Sequence, residues 1–298
     1  MHPTCIEKRN DNNAGHMCPN CQAPGPSGNP EEMLKLVTHH AELGASWAQN
    51  ALGDYYRHGG MGLEQNLDKA KEYWALAGCD DNIGKDYPLR EIGSIMTAGY
   101  NLACLYYEGT GEPRNLNLAR VWFEKSANLG YPSSQWNVGY MYENGEGGLS
   151  VSIEKARSWY EKSAHGKDPQ GMCDFAKCLL DGGPEDATKA RHWFEQVISQ
   201  GPSQILGKAQ LNLAQMLIVG KGGSQNLPKG MELLTSVAKD DPYRYGQRAV
   251  VMLNHFSSQG APLQCFSCCK FSKREKPLKK CPGCKSAFYC GKYCKRRA

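Results

Sequence analysis

Six cysteines near the C-terminus have spacing suited to metal chemistry. Cys265-x-x-Cys268 and Cys281-Pro282-Gly283-Cys284 are thiol pairs three apart, and Cys290 and Cys294 follow behind Tyr289. Two thiolates three apart on a tight turn can share one tetrahedral ion, and zinc holds sulfur ligands tightly. A segment this short buries too little to fold by packing, so metal binding would supply its folding energy. The spacing therefore predicts structural Zn2+ as cofactor, with Cys265, Cys268, Cys281, Cys284, Cys290 and Cys294 as ligands. No general base lies near them to suggest a catalytic metal. A second candidate set, Cys5, His16, Cys18 and Cys21, stands at the N-terminus around Cys18-Pro19-Asn20-Cys21.

The totals narrow the function classes. Net charge is +5, but residues 270–298 hold eleven Lys or Arg and a single Glu, so the basic character is local. The tail could contact phosphates; nucleic acid remains a disfavoured partner. The fourteen cysteines cluster at the two ends, with Cys79, Cys104, Cys173 and Cys178 scattered between. That is not a disulfide framework, and it predicts a reducing compartment, cytoplasm or nucleus. Cys104 and Cys178 fall on apolar helix faces and are expected as buried thiols. No apolar run approaches about 18 residues, so no membrane partner is expected. The N-terminus has no apolar secretory core. No Ser-His-Asp set, phosphate loop or paired-carboxylate motif is visible, and no enzyme is expected.

The elements that must position these residues show themselves by self-similarity. Gly109 and Gly145 stand 36 residues apart, and Ala119 and Ala156 stand 37 apart. Tyr106-Tyr107-Glu108 answers to Met141-Tyr142-Glu143, and Ala119-Arg120-Val121-Trp122-Phe123 answers to Ala156-Arg157-Ser158-Trp159-Tyr160. Repeats of this length, each two periodic runs around a Gly-rich break, predict helix pairs stacked as a solenoid. Five copies are expected, over 44–78, 99–130, 131–166, 167–200 and 203–240. A half-copy over 247–256 caps them, and a lead-in helix covers 31–43. Residues 79–97 read as an insertion emerging as a loop. In copy two, Leu102, Leu105 and Tyr106 make one apolar face of the first helix, and Ala119, Trp122, Phe123 and Ala127 make one on the second. Trp74, Trp122, Trp159 and Trp193 are expected at one repeated core position.

The repeat pattern resembles the Sel1-like repeats, relatives of the tetratricopeptide class. The resemblance implies an all-α, right-handed superhelical solenoid that acts as an adaptor for peptides or partner proteins. The terminal cysteines resemble a MYND finger that lacks its last two ligands; family ligation would put Cys265, Cys268, Cys290 and Cys294 on one zinc and start a second at Cys281 and Cys284. The N-terminus, through His16-Met17-Cys18-Pro19-Asn20-Cys21, resembles the end of a RING-type finger. The expected organisation is a finger remnant over 1–30, the solenoid over 31–256, a linker over 257–264 and a small zinc-binding module over 265–298. The expected function is a non-enzymatic zinc-binding scaffold for protein partners. A ubiquitin-ligase fragment with a truncated RING and a nucleic-acid binder using the basic tail are the alternatives.

Overall fold

Asparagine and serine side chains start the second helix of most copies, and glycine ends the first. In the computed structural model, which describes residues 29–78, 89–111, 113–180, 182–201, 203–241, 244–258, 279–280 and 288–289, the Oδ1 of Asn66, Asn115 and Asn226 and the Oγ of Ser152 each accept the backbone N–H three residues on. This satisfies a donor that a helix start leaves open. The backbone N–H of the same four residues donates to Tyr56, Tyr106, Leu217 and Tyr142 O, three residues before the glycine that closes the first helix. Those glycines, Gly59, Gly109, Gly145 and Gly220, all have φ near 70°, the left-handed region where a side chain is penalised.

The described residues form twelve helices. They are α1 (Pro30–Glu42), α2 (Ser46–His58), α3 (Leu67–Gly78), α4 (Leu89–Glu108), α5 (Leu116–Asn128), α6 (Pro132–Asn144) and α7 (Ile153–His165), then α8 (Pro169–Leu179), α9 (Pro184–Ser199), α10 (Leu206–Val219), α11 (Leu227–Asp240) and α12 (Gly246–Ser258). The chain divides into two compact units between Gly166 and Lys167. The first unit holds α1–α7, with pairs α2/α3, α4/α5 and α6/α7. The second holds α8–α12, with pairs α8/α9 and α10/α11. It also carries a short antiparallel ladder, β1 (Lys279–Lys280) against β2 (Phe288–Tyr289), in register Lys279 to Tyr289 and Lys280 to Phe288. The stretch read as an insertion is partly helix, since α4 begins at Leu89 and buries Ile95.

Each pair is locked by a small residue under a large one. Six residues before the closing glycine register, the first helices place Gly53, Ala103, Gly139, Ala176 and Ala214, all buried. The second helices place Trp74, Phe123, Tyr160, Phe194 and Leu234 four residues after a buried Ala70, Ala119, Ala156, Ala190 or Gly230. Ring size and backbone room vary together. A Cβ on Gly53 would lie 2.4 Å from the Trp74 indole, and one on Gly139 would lie 2.7 Å from the Tyr160 ring, far inside van der Waals contact. Where the partner is Phe123 or Phe194, alanine fits.

The expected tryptophan register is corrected by this arrangement. Trp74 belongs with Phe123 and Tyr160; Trp122, Trp159 and Trp193 sit one residue earlier and are half-buried. Their equivalent in copy one is Tyr73. Within the first unit this position reaches the preceding pair. Tyr73 packs on the Val37–Leu52 cluster, Trp122 on the Trp74–Leu102 cluster and Trp159 on the Phe123–Val138 cluster.

The helix read as a lead-in also proves to be more. Gln49 Nε2 donates to Ala41 O as Gln135 Nε2 donates to Ala127 O. Gly44 and Ala45 donate to Ala41 and His40 O as Gly130 and Tyr131 donate to Ala127 and Ser126 O. α1 therefore ends like the second helix of a repeat.

The expected zinc modules are corrected here. A zinc site needs several ligands converging on one point. Among the described residues, no group of three or more His, Cys, Asp or Glu is placed to hold a metal ion. The described cysteines, Cys104, Cys173 and Cys178, form no disulfide with one another. The MYND-type and RING-type fingers, Zn2+ as cofactor and the ligase reading are accordingly withdrawn, and the fold is paired helices without a zinc-binding module among the described residues. Cys265, Cys268, Cys281, Cys284, Cys290 and Cys294, the N-terminal set Cys5, His16, Cys18 and Cys21, and most of the basic tail lie outside the described residues.

Candidate protein-interaction surface

In the first unit, the first helix of each pair buries one stripe against its partner and leaves a second stripe mostly half-buried. That second stripe is unusual in composition. α2 contributes Trp47, Asn50, Asp54 and His58; α4 contributes Tyr100, Asn101, Cys104 and Glu108; α6 contributes Trp136, Asn137, Tyr140 and Asn144. Spacings of three and four place each set on one helix face. His58, Glu108 and Asn144 are exposed and the other nine half-buried. Aromatic rings, amides and two carboxylates thus stand where solvent and a partner can both reach them.

Side-chain contacts join the stripe from helix to helix. Asn101 Nδ2 donates to Asp54 Oδ1 at 3.1 Å. Arg57 lies 4.0 Å from Glu108. Tyr100 and Tyr131, which leads into α6, have ring centroids 5.1 Å apart, and Trp136 and Tyr140 are 5.6 Å apart. Asn137 Nδ2 donates to Ser133 O, which fixes its rotamer. Asn101, Asn137, Asp174 and Asn212 occupy the same register in four copies.

Burial sets the electrostatics. It raises the Asp54 carboxyl above the usual aspartate range, while His58, the Trp74 indole and Arg57 pull it back. Burial pushes the Cys104 thiol up to about 11, against a bond from Tyr100, so this thiol is protonated and inert at neutral pH. In the second unit, burial pushes Cys173 up to about 12. The Lys208 ammonium pairs there with Asp174. Burial works against its charge, but Asp174 and its neighbours hold it above the usual lysine value. Cys173 is buried; Cys104 and Cys178, expected as buried thiols, are half-buried. Copies four and five carry Cys173 and Leu211 where the first unit carries Asn50, Tyr100 and Trp136, and Lys177 and Gln215 where it carries Asp54, Cys104 and Tyr140.

Nothing on this surface is arranged for bond-making chemistry. It consists of hydrogen-bond donors, ring faces and fixed charges, which are tools of recognition. Sequence reasoning missed it because its residues belong to no motif; the signal available was the shared register of Tyr100-Asn101 and Trp136-Asn137. Among the described residues no helix is long and apolar enough to cross a membrane.

Comparison with known proteins places these copies. A family model described as Sel1 repeat matches residues 48–82, 98–131, 132–168, 169–202 and 207–241, each overlapping one of the five segments that periodicity marks out. The chain is 26% identical over 161 residues to an exopolysaccharide production negative regulator of Rhizobium leguminosarum bv. viciae, covering 53% of this chain and 58% of the relative. It is 33% identical over 169 residues to a chitin synthase regulator of Saccharomyces cerevisiae, covering 56% of this chain and 22% of the relative. The chain thus spans less than two thirds of either relative. Its fold is similar to that of a protective antigen present in uropathogenic Escherichia coli strains, with TM-score 0.63 at 22% identity, over 80% of this chain and 46% of the antigen.

Proposed function

We propose that this chain, which belongs to the Sel1 repeat family, is a scaffold that holds partner proteins on the half-buried stripe of α2, α4 and α6. Sel1-type repeats typically serve as non-catalytic helical scaffolds for protein or peptide partners. The observation that carries the reading is the placement of the rings Tyr100 and Trp136 and the amides Asn101 and Asn137 at matching registers of α4 and α6, with the Asn101–Asp54 bond joining α2 to α4 and the Tyr100–Tyr131 contact leading into α6. Stacked repeats present such stripes as one extended surface. Both curated relatives are named as regulators, which supports a role in controlling other proteins. A cytoplasmic or nuclear location goes with this reading, on a cysteine spacing that is not that of a disulfide framework.

Quantitative affinity purification tests the reading. The intact chain is compared with a Tyr100→Ser, Tyr140→Ser variant and with a control variant, Arg157→Ser, on the exposed side of α7. The expected result is a defined set of proteins depleted at least fivefold by the stripe variant and unchanged by the control. Identical sets from all three chains, with native helicity retained, contradict it.

A further inference from the structure

We propose that the stripe of α2, α4 and α6 takes an extended, proline-bearing segment of a partner that also carries a lysine or arginine. This rests on the scaffold reading and adds the chemistry of the partner. The rings of Tyr100, Trp136 and Tyr140 take the prolines, and Asp54 and Glu108 take the cation.

Three observations lead there. First, ring faces at half-buried positions favour flat, rigid apolar groups, and a polyproline II segment reaches them at low entropic cost. Such a segment turns once in about 9 Å, close to the roughly 8–10 Å between packed helix axes. α2 and α4 pack side by side through Asn101–Asp54, so one turn of the segment spans these two helices. Second, a polyproline II backbone keeps its carbonyls unbonded. The side-chain amides of Asn101 and Asn137 each have two N–H donors, of which the bonds to Asp54 and Ser133 use one. Third, the charge is complementary. Asp54 and Glu108 are the carboxylates of the stripe, beside His58 and beside Arg57, which lies 4.0 Å from Glu108 and is 30% exposed. Residues 29–166 as a whole hold eighteen Asp or Glu against twelve Lys or Arg. Asp54 and Glu108 attract a basic ligand and speed its docking.

Fluorescence anisotropy with the full chain tests this. The probes are labelled Pro-x-x-Pro peptides ending in arginine, the same peptides ending in glutamate, and peptides with every proline replaced by alanine. The arginine peptide is expected to bind in the micromolar range, about tenfold or more tighter than either of the others. Asp54→Asn with Glu108→Gln, which keeps shape and removes charge, is expected to abolish the preference for arginine over glutamate. Trp136→Leu, which keeps an apolar side chain there, is expected to weaken the arginine peptide about tenfold. Equal binding of the arginine and glutamate peptides, equal binding of the alanine peptide, or no binding up to millimolar peptide overturns the inference. If peptides fail while the stripe variant still depletes partner proteins, this inference falls and the scaffold reading stands. If both fail, both fall.

Discussion

At the scale of single residues, backbone room and burial decide most outcomes. Gly53 exists because Trp74 fills the space where its Cβ would be. Gly53→Ala is expected to destabilise the fold by about 1–3 kcal/mol, and Trp74→Phe in the same chain is expected to recover part of the loss. A double-mutant cycle from urea melts measures it; additive effects would contradict the ring-on-backbone account. Lys167 has φ 64° at the register where other copies have Gly44, Gly130 and Gly201. A non-glycine residue pays about 1 kcal/mol or more there, so Lys167→Gly is expected to raise the melting temperature. Asp54 titrates with a raised folded-state pKa. The folded state then holds the proton more tightly than the unfolded chain, and the penalty of the ionised carboxylate is relieved as pH falls through that raised value. Asp54→Asn keeps an acceptor for Asn101 and removes the charge. It is expected to be more stable than the parent at neutral pH, with the difference shrinking in acid. The ring register was misread from sequence at this scale. Trp74 follows Ala70 by four residues whereas Trp122 follows Ala119 by three; that one-residue step moves a side chain from the core to its edge, and residue type alone conceals it.

At the scale of elements, the helix pair is the unit, and its joints are capped in the same way. Asn66, Asn115, Ser152 and Asn226 each bond through both side chain and backbone, starting the second helix and tying the loop to the first. Asn115→Ala keeps the backbone tie and loses the side-chain cap, for an expected cost of about 1 kcal/mol. Thermal melts check this, with Asn115→Ser expected to restore most of it. The apolar period and the Gly-rich breaks made the pairs legible in the sequence, because helix faces repeat every three or four residues and glycine alone takes left-handed angles freely. The caps were equally visible as Asn or Ser before each second helix. α1 was harder to read, because its likeness to a second helix lies in hydrogen bonds from Gln49, Gly44 and Ala45 to carbonyls, which leave little trace in composition.

At the scale of the whole chain, apolar packing between helix pairs explains the described fold without a metal. Chelator treatment is therefore expected to leave the helical melting transition of the repeats unchanged. Cys104 and Cys173, both held protonated by burial, are expected to resist alkylation in the native protein and to react once it is unfolded, as peptide mapping would show. The cysteine spacing drew sequence reasoning toward the ends of the chain, while the surface with recognition chemistry lies in its repeats. Such a surface is hard to see in one sequence, since its rings and amides interleave with core positions on the same helices. The most direct test of the central claim is site-specific photo-crosslinking in cells, with a photoreactive phenylalanine at Tyr140 on the stripe or at Arg157 on the exposed side of α7. Discrete crosslinked partner proteins from position 140 and none from position 157 are the predicted result. Equal crosslinking from both positions, or none from position 140 in a folded chain, would contradict it.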